Sequence, residues 1–252
     1  MNTHHKEDSH QQVPVILLTG ATSGIGEALC IKYAALGWLV IACGRNTVKL
    51  ATLAEIPNVS TLQIELDDAA EVKDKLSELP PLDLVILNAG TCEYIDDAKH
   101  FDGQLFSRVI QTNLISVGYC LEALLPSMKK GSQLALVGSS ASFLPFSRAQ
   151  AYGASKAGIA YLANCLAIDL ETEGIDVSLI RPGFVKTPLT DKNDFNMPMT
   201  ISSEQAANYI IKGLSNRTFD IHFPKKFTFI LKVLSCLPTR LWHQICTRKL
   251  TK

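Results

Sequence analysis

Tyr152-Gly153-Ala154-Ser155-Lys156 sets a phenol and a primary amine four positions apart. In a helix, positions i and i+4 share a face, so both groups can enter one cleft. The pairing suits hydride chemistry: reducing a ketone requires a proton for the developing alkoxide, and oxidising an alcohol requires the same proton to be removed. A free phenol, with a pKa of about 10, is a poor base near neutrality. An ammonium about 4 Å away is worth about 4 kcal/mol at an effective dielectric of about 20, at most about three pKa units at ~1.4 kcal/mol each. The pair is therefore expected to bring the phenol near working pH. Gly138-Ser139-Ser140-Ala141-Ser142 adds hydroxyls that can hold a substrate oxygen.

Thr19-Gly20-Ala21-Thr22-Ser23-Gly24-Ile25-Gly26 joins a short apolar run, Val15 to Thr19, to a helical stretch from about Ile25 to Leu36. Glycines let the backbone turn tightly and approach a pyrophosphate, and the helix N-terminus supplies free N–H groups and a positive dipole end. The spacing Gly-x3-Gly-x-Gly departs from the commoner Gly-x-Gly-x2-Gly dinucleotide pattern. After the second apolar run the chain reads Ala42-Cys43-Gly44-Arg45-Asn46. Enzymes that use NAD usually place an acid here against the ribose 2′-OH, whereas an Arg accommodates the 2′-phosphate of NADP. With no carboxylate and a guanidinium suited to phosphate, NADP(H) is the expected cofactor over NAD(H).

These segments need a scaffold that brings strand ends together. Strand-like runs at Val15 to Thr19, Trp38 to Cys43, Val59 to Leu66, Leu82 to Leu87, Gln133 to Val137 and Ile175 to Ile180 alternate with helical stretches, among them Phe101 to Leu125 and Tyr152 to about Glu171. Such alternation predicts an α/β fold, a Rossmann-like doubly wound parallel sheet with helices on both faces, in which ligands sit beyond the carboxyl ends of the strands. No linker divides the chain, so 13–252 is read as one domain behind a polar tail at 1–12, with a substrate loop and helix at about 189–215 and an apolar, basic segment at 225–252.

Taken together, the TGxxxGIG turn and the YxASKAG segment resemble those of the compact short-chain dehydrogenase/reductase family. The matches run in order over about residues 15 to 190 and imply the fold above and an oxidoreductase acting between a carbonyl and an alcohol. By that resemblance Tyr152 and Lys156 are catalytic and also touch the cofactor. The family's serine thirteen positions before the tyrosine points to Ser139, while the Ser-Ser-Ala pattern keeps Ser140 open. Asn113 is implied as the residue that positions a water in the proton relay. Gly20, Thr22, Ser23, Gly24, Ile25 and Gly26 correspond to the pyrophosphate turn, and Asp67 to an adenine contact, with Asp68 an alternative register. Asn88-Ala89-Gly90 lines the cofactor, and Pro182, Gly183, Val185 and Thr187 hold its nicotinamide end. For the two acids helix N-capping is a competing role, and for Asn113 a bond to local backbone.

Composition narrows the rest. Lys plus Arg equal Asp plus Glu, 24 against 24, so no general field attracts nucleic acid. At 47% hydrophobic and 19% charged residues the chain can bury a sizeable core. The seven cysteines lack metal-site spacing and are expected to be reduced, mostly core thiols in a cytoplasmic protein. No metal site is expected; His4, His5 and His10 lie in the polar tail. No apolar run approaches the ~18–20 residues needed to span a bilayer. The polar Asp191-Lys192-Asn193-Asp194 and apolar Phe195, Met197 and Met199 fall at the substrate loop and suggest an apolar small-molecule ligand. The segment with Phe227, Phe229, Ile230, Leu231, Val233 and Trp242, flanked by Arg240, Arg248 and Lys249, has three open readings: a cover over the cleft, a contact with a partner subunit, or a peripheral membrane contact. A homodimer or homotetramer follows from the resemblance. The competing function is a catalytically silent NADP(H)-binding sensor or scaffold, which would not need Ser139, Tyr152 and Lys156 intact.

Overall fold

A computed structural model describes residues 13–250. The tail at 1–12, with its three histidines, lies outside the described residues, as do the side chains of Arg248 and Lys249. In chain order the elements are β1 (Val15–Thr19), α1 (Gly24–Ala35), β2 (Leu39–Gly44), α2 (Thr47–Ala54), β3 (Val59–Gln63), α3 (Ala69–Ser77), β4 (Leu84–Leu87), α4 (Gly103–Ile110), α5 (Ser116–Leu124), β5 (Gln133–Val137), α6 (Gln150–Asp169), β6 (Asp176–Pro182), β7 (Val185–Lys186), β8 (Ile201–Ser202), α7 (Ser203–Ser215), β9 (Asp220–Phe223), α8 (Lys225–Ser235) and α9 (Thr239–Leu250).

Seven strands form one parallel sheet in the order β3-β2-β1-β4-β5-β6-β9. Alternate residues of a strand face opposite ways, and both faces are buried. Ile16 and Leu18 of β1 join Leu29, Tyr33, Ala206 and Ile210 of α1 and α7 on one side. Leu17 joins Val72, Leu121 and Ile159 of α3, α5 and α6 on the other. The expected doubly wound architecture is the one observed. Strand order reverses between β1 and β4, which places the switch point where the glycine turn follows β1 and Asn88 follows β4.

Three sequence expectations shift. The single helix over 101–125 is interrupted: Gln111–Ile115 takes a π-helical turn between α4 and α5, and such a turn leaves backbone outside the regular i→i−4 ladder. Gly103–Ser127 also proves long and apolar enough by composition to cross a membrane, against the expectation that nothing approaches that length. Its apolarity serves packing in the layer, because Leu105, Val109, Cys120, Leu121 and Leu124 are buried. Finally, β9, α8 and α9 give definite structure to a stretch that sequence periodicity left unassigned.

Candidate active site

The carboxyl ends of the central strands open into a cleft of about 640 Å³. Two side chains tie its floor at the switch point. Thr19 Oγ1 accepts hydrogen bonds from the backbone N–H of Asn88 (2.9 Å) and Ala89 (3.1 Å). The Asn88 amide donates to the carbonyl oxygens of Thr19 (3.0 Å) and Gly20 (3.3 Å). Asn88 thus holds the glycine turn in shape while its segment lines the cleft.

That turn requires its glycines. Gly20 sits at φ +65°, and a Cβ there would lie 2.8 Å from Ala89 Cα. A Cβ on Gly26 would lie 2.1 Å from the Gly20 carbonyl oxygen. Gly26 therefore permits the close crossing of helix and turn and does not itself line the cleft, whereas Gly20, Thr22, Ser23, Gly24 and Ile25 do. Ser23 precedes α1 with no side-chain cap, leaving the first-turn N–H groups open for an anion.

Farther along, Arg45 lines the cleft and donates to Glu65 Oε2 at 3.4 Å. Glu65, which sequence reasoning missed, stands beside the guanidinium expected from sequence to meet a phosphate; it belongs to the segment just beyond β3, the one signal that marked it. Asp67 also lines the cleft, with Oδ2 accepting from Thr112 Oγ1 at 2.8 Å. Its Oδ1 is buried with no hydrogen-bond partner. Asp68 instead caps α3, accepting from the N–H of Ala70 and Glu71. The register question between the two acids resolves in geometry: one caps, the other faces the cleft. An unpartnered acceptor at Asp67, a glycine cradle with no room for a Cβ, and a guanidinium fit an adenine dinucleotide in donor set and shape.

At the other end, Val137, Gly138, Ser139, Tyr152 and Lys156 share the cleft wall. Ser139 accepts from the Ala141 N–H at 3.1 Å and starts a short 3₁₀ turn that carries Ser140 away from the lining. The helix holding Tyr152 starts at Gln150, two residues earlier than the sequence suggests. One turn on, Lys156 is buried and its Nζ donates to Val137 O at 2.9 Å. Asn113 is buried behind this wall. Its amide donates to Thr91 O and Ser155 Oγ, and its Oδ1 accepts from the Thr91 N–H at 2.7 Å. A Cβ on Gly90 would lie 3.0 Å from Asn113 Oδ1 and 3.4 Å from Lys156 Nζ, so these groups converge behind Gly90.

The expected tuning of the phenol is not what the protein alone provides. Burial pushes Tyr152 upward, beyond its ordinary range, with the Cys92 thiol adding to the shift and a hydrogen bond with Ser139 opposing it. Burial also lowers Lys156 to about 8, Cys92 opposing. Desolvation therefore outweighs the mutual assistance that spacing predicts; the amine lies 5.9 Å from the phenol ring centre. Cys92 and Tyr94, after β4, are neighbours that sequence reading passed over. Burial raises the Cys92 thiol, while Tyr94 and the Lys156 charge pull it back.

The segment after β6 closes over the turn. Pro182, Gly183, Val185 and Thr187 line the cleft, and Thr187 Cγ2 approaches so closely that a Cβ on Gly24 would lie 2.9 Å from it. Thr190 Oγ1 locks this segment, donating to Val185 O at 2.7 Å and accepting from the Thr187 N–H at 3.0 Å. Aromatic rings continue outward: Phe227 meets Phe184 at 5.5 Å, Phe184 meets Phe195 at 6.0 Å, and Phe195 meets Tyr94 at 5.7 Å between centroids. Arg148 bridges the rim. It donates to Asp96 and, at 2.9 and 3.2 Å, to both oxygens of Asp194, with its guanidinium 5.5 Å from the Tyr94 ring centre.

Known proteins resemble this chain in sequence and in fold. A family model described as short chain dehydrogenase matches residues 14–197. An uncharacterized oxidoreductase of Myxococcus xanthus is 32% identical over 243 residues, covering 92% of this chain and 96% of its own. Among solved structures, a short-chain dehydrogenase from Sphingobium yanoikuyae in complex with NADPH superposes with TM-score 0.76 at 22% identity, covering 90% of this chain and 97% of that one. A short chain dehydrogenase/reductase from Burkholderia phymatum in complex with NAD gives 0.78 at 20% identity, covering 87% and 92%. At those identities the structural likeness concerns the fold.

Proposed function

The chain belongs to the short chain dehydrogenase family of oxidoreductases acting between alcohols and carbonyls, and from that premise we propose that it uses NADP(H) in preference to NAD(H) to interconvert a carbonyl and a secondary alcohol on an apolar small molecule. The observation that carries the chemistry is the convergence of Ser139, Tyr152 and Lys156 on one wall of a cleft whose opposite end is the glycine turn.

When bound, the nicotinamide supplies or accepts the hydride; the remaining work falls to the chain. Ser139 holds the substrate oxygen. Tyr152 gives a proton to that oxygen in reduction and takes it in oxidation. Lys156, fixed by Val137 O, keeps a positive charge beside the phenol and favours its ionised form. Asn113 fixes Thr91, and with it the wall facing Lys156. Arg45 receives the 2′-phosphate, and the absence of an acid at the end of β2 supports that preference. The aromatic rings from Tyr94 to Phe227 favour an apolar substrate. The free cysteines among the described residues support a reducing, cytoplasmic setting, and Tyr161 and Ile168, exposed on α6, support a homodimer or homotetramer.

A panel of ketones, aldehydes and secondary alcohols, with NADP(H) turnover followed for wild type and Tyr152→Phe, tests the reading. Loss of about 10²–10⁴-fold in kcat with cofactor affinity retained is expected. Undiminished turnover in Tyr152→Phe would overturn the assigned chemistry.

A further inference from the structure

We propose that the outer face of α8 and α9 docks on an anionic lipid bilayer surface. The inner face of the same segment is fixed to the body. Thr228, Leu231 and Trp242 are buried, Trp242 Nε1 donates to Pro145 O at 2.8 Å, and Lys232 pairs with Asp220. This anchoring gives the outer face a definite orientation. On it Phe229 is 64%, Ile230 49% and Val233 53% exposed, and Leu241 and Ile245 of α9 are exposed as well.

Lys226, Phe229, Ile230 and Val233 stand at i, i+3, i+4 and i+7, which puts a cation on the apolar face of α8. Lys225 and Lys226 are both exposed in the first turn, with no acid there. A helix N-terminus is already the positive end of its dipole, so these cations oppose the helix and call for an anion from outside. The bias extends over the segment. From 224 to 252 the chain carries Lys225, Lys226, Lys232, Arg240, Arg248, Lys249 and Lys252 and no Asp or Glu, in a protein whose charges balance overall. Apolar side chains beside the exposed cations Lys225, Lys226 and Arg240 match the boundary between anionic headgroups and acyl chains. A second copy of the chain fits less well, because a twofold contact lays the same patch against itself and sets cations against cations.

The test is flotation of the full chain with vesicles of phosphatidylcholine alone and of an equimolar mixture with phosphatidylglycerol. The proposal requires recovery on the mixed vesicles, about tenfold less on the neutral ones, and a decline as salt is raised. Two double variants, Phe229→Glu with Val233→Glu and Lys225→Glu with Lys226→Glu, should each lower recovery by about tenfold. Circular dichroism and turnover of a water-soluble carbonyl should match wild type, since all four side chains are exposed and outside the cleft. Equal recovery of variants and wild type overturns the proposal. So does the absence of wild-type flotation, and so does an oligomer in gel filtration that the variants lose without any lipid binding. Salt dependence of the wild type stands as a check that needs no variant, and flotation is read independently of turnover, so failure of the enzymatic assignment would be seen separately.

Discussion

Lys156 Nζ donates at 2.9 Å to the carbonyl oxygen of Val137, the last residue of β5, so the cleft's amine is fixed to the sheet and stands at 5.9 Å from the Tyr152 ring centre. The sheet positions the charge, and the helix positions the phenol beside it. Both groups are desolvated, and burial disfavours the charged form of each.

Replacing Lys156 separates its effect on stability from its effect on turnover. Its folded-state pKa, about 8, lies below the reference 10.5. Between those values the unfolded chain binds more protons than the folded one, so this group makes stability rise with pH across about 8 to 10.5, and its destabilising effect is fully present below 8. Lys156→Met is expected to abolish turnover. It should also raise stability at neutral pH by about 3 kcal/mol, less what the lost bond to Val137 contributes. Urea unfolding across that pH range is the measurement, and the alkaline rise should vanish in the variant.

On the proposed preference for NADP(H), Arg45 and Glu65 act together on the 2′-phosphate. Their pair is exposed, so its own contribution to stability is only about 0–1 kcal/mol, and the guanidinium is free to turn to a phosphate. Arg45→Asp should lower the NADP over NAD preference by about tenfold or more, and Glu65→Gln should raise NADP affinity by removing a carboxylate that repels the phosphate. Dissociation constants for both dinucleotides decide the matter. An unchanged ratio in Arg45→Asp would refute the preference.

The two adjacent serines should behave differently. Ser139 lines the cleft, whereas Ser140 is buried in the 3₁₀ turn behind it. Ser139→Ala is expected to lower kcat by about 10²-fold, the scale of losing one donor to a developing oxyanion, and Ser140→Ala to leave kcat within a few fold. Steady-state kinetics on one substrate compares them directly.

Arg148 links Asp96 to Asp194 across the rim, joining the segment after β4 to the loop beyond Thr190. Arg148→Ala should loosen that loop and raise KM for apolar substrates several-fold, with a smaller change in kcat and little change in melting temperature, since exposed ion pairs contribute little to global stability. Rising salt should reproduce part of the KM effect in wild type and none in the variant.

How much was legible in advance differs by kind of residue. Gly20, Gly24, Tyr152 and Lys156 could be found because their geometry is local: a tight strand-to-helix turn and one helical turn are each fixed by a few consecutive positions. Arg45 was equally readable, but its neighbour Glu65 was not, since β2 and β3 meet only through sheet register. Cys92, Tyr94 and Arg148 carry no spacing that marks them; Cys92 acts on Tyr152 and Lys156, and Arg148 and Phe195 meet Tyr94, only because separate loops fold together.

The sequence by itself determined the alternation of strand and helix, the place of the glycine turn and the shared face of Tyr152 and Lys156, all consequences of short-range backbone periodicity. Tertiary structure alone decided that Ser139 rather than Ser140 reaches the cleft, that Asp68 caps while Asp67 keeps an unpartnered oxygen, and that α8 turns Leu231 inward and Phe229 outward. It also decided the titration of the central pair. Spacing specifies how near two groups stand, but the cost of desolvating them depends on everything packed around them, and that packing is assembled from residues far apart in the chain.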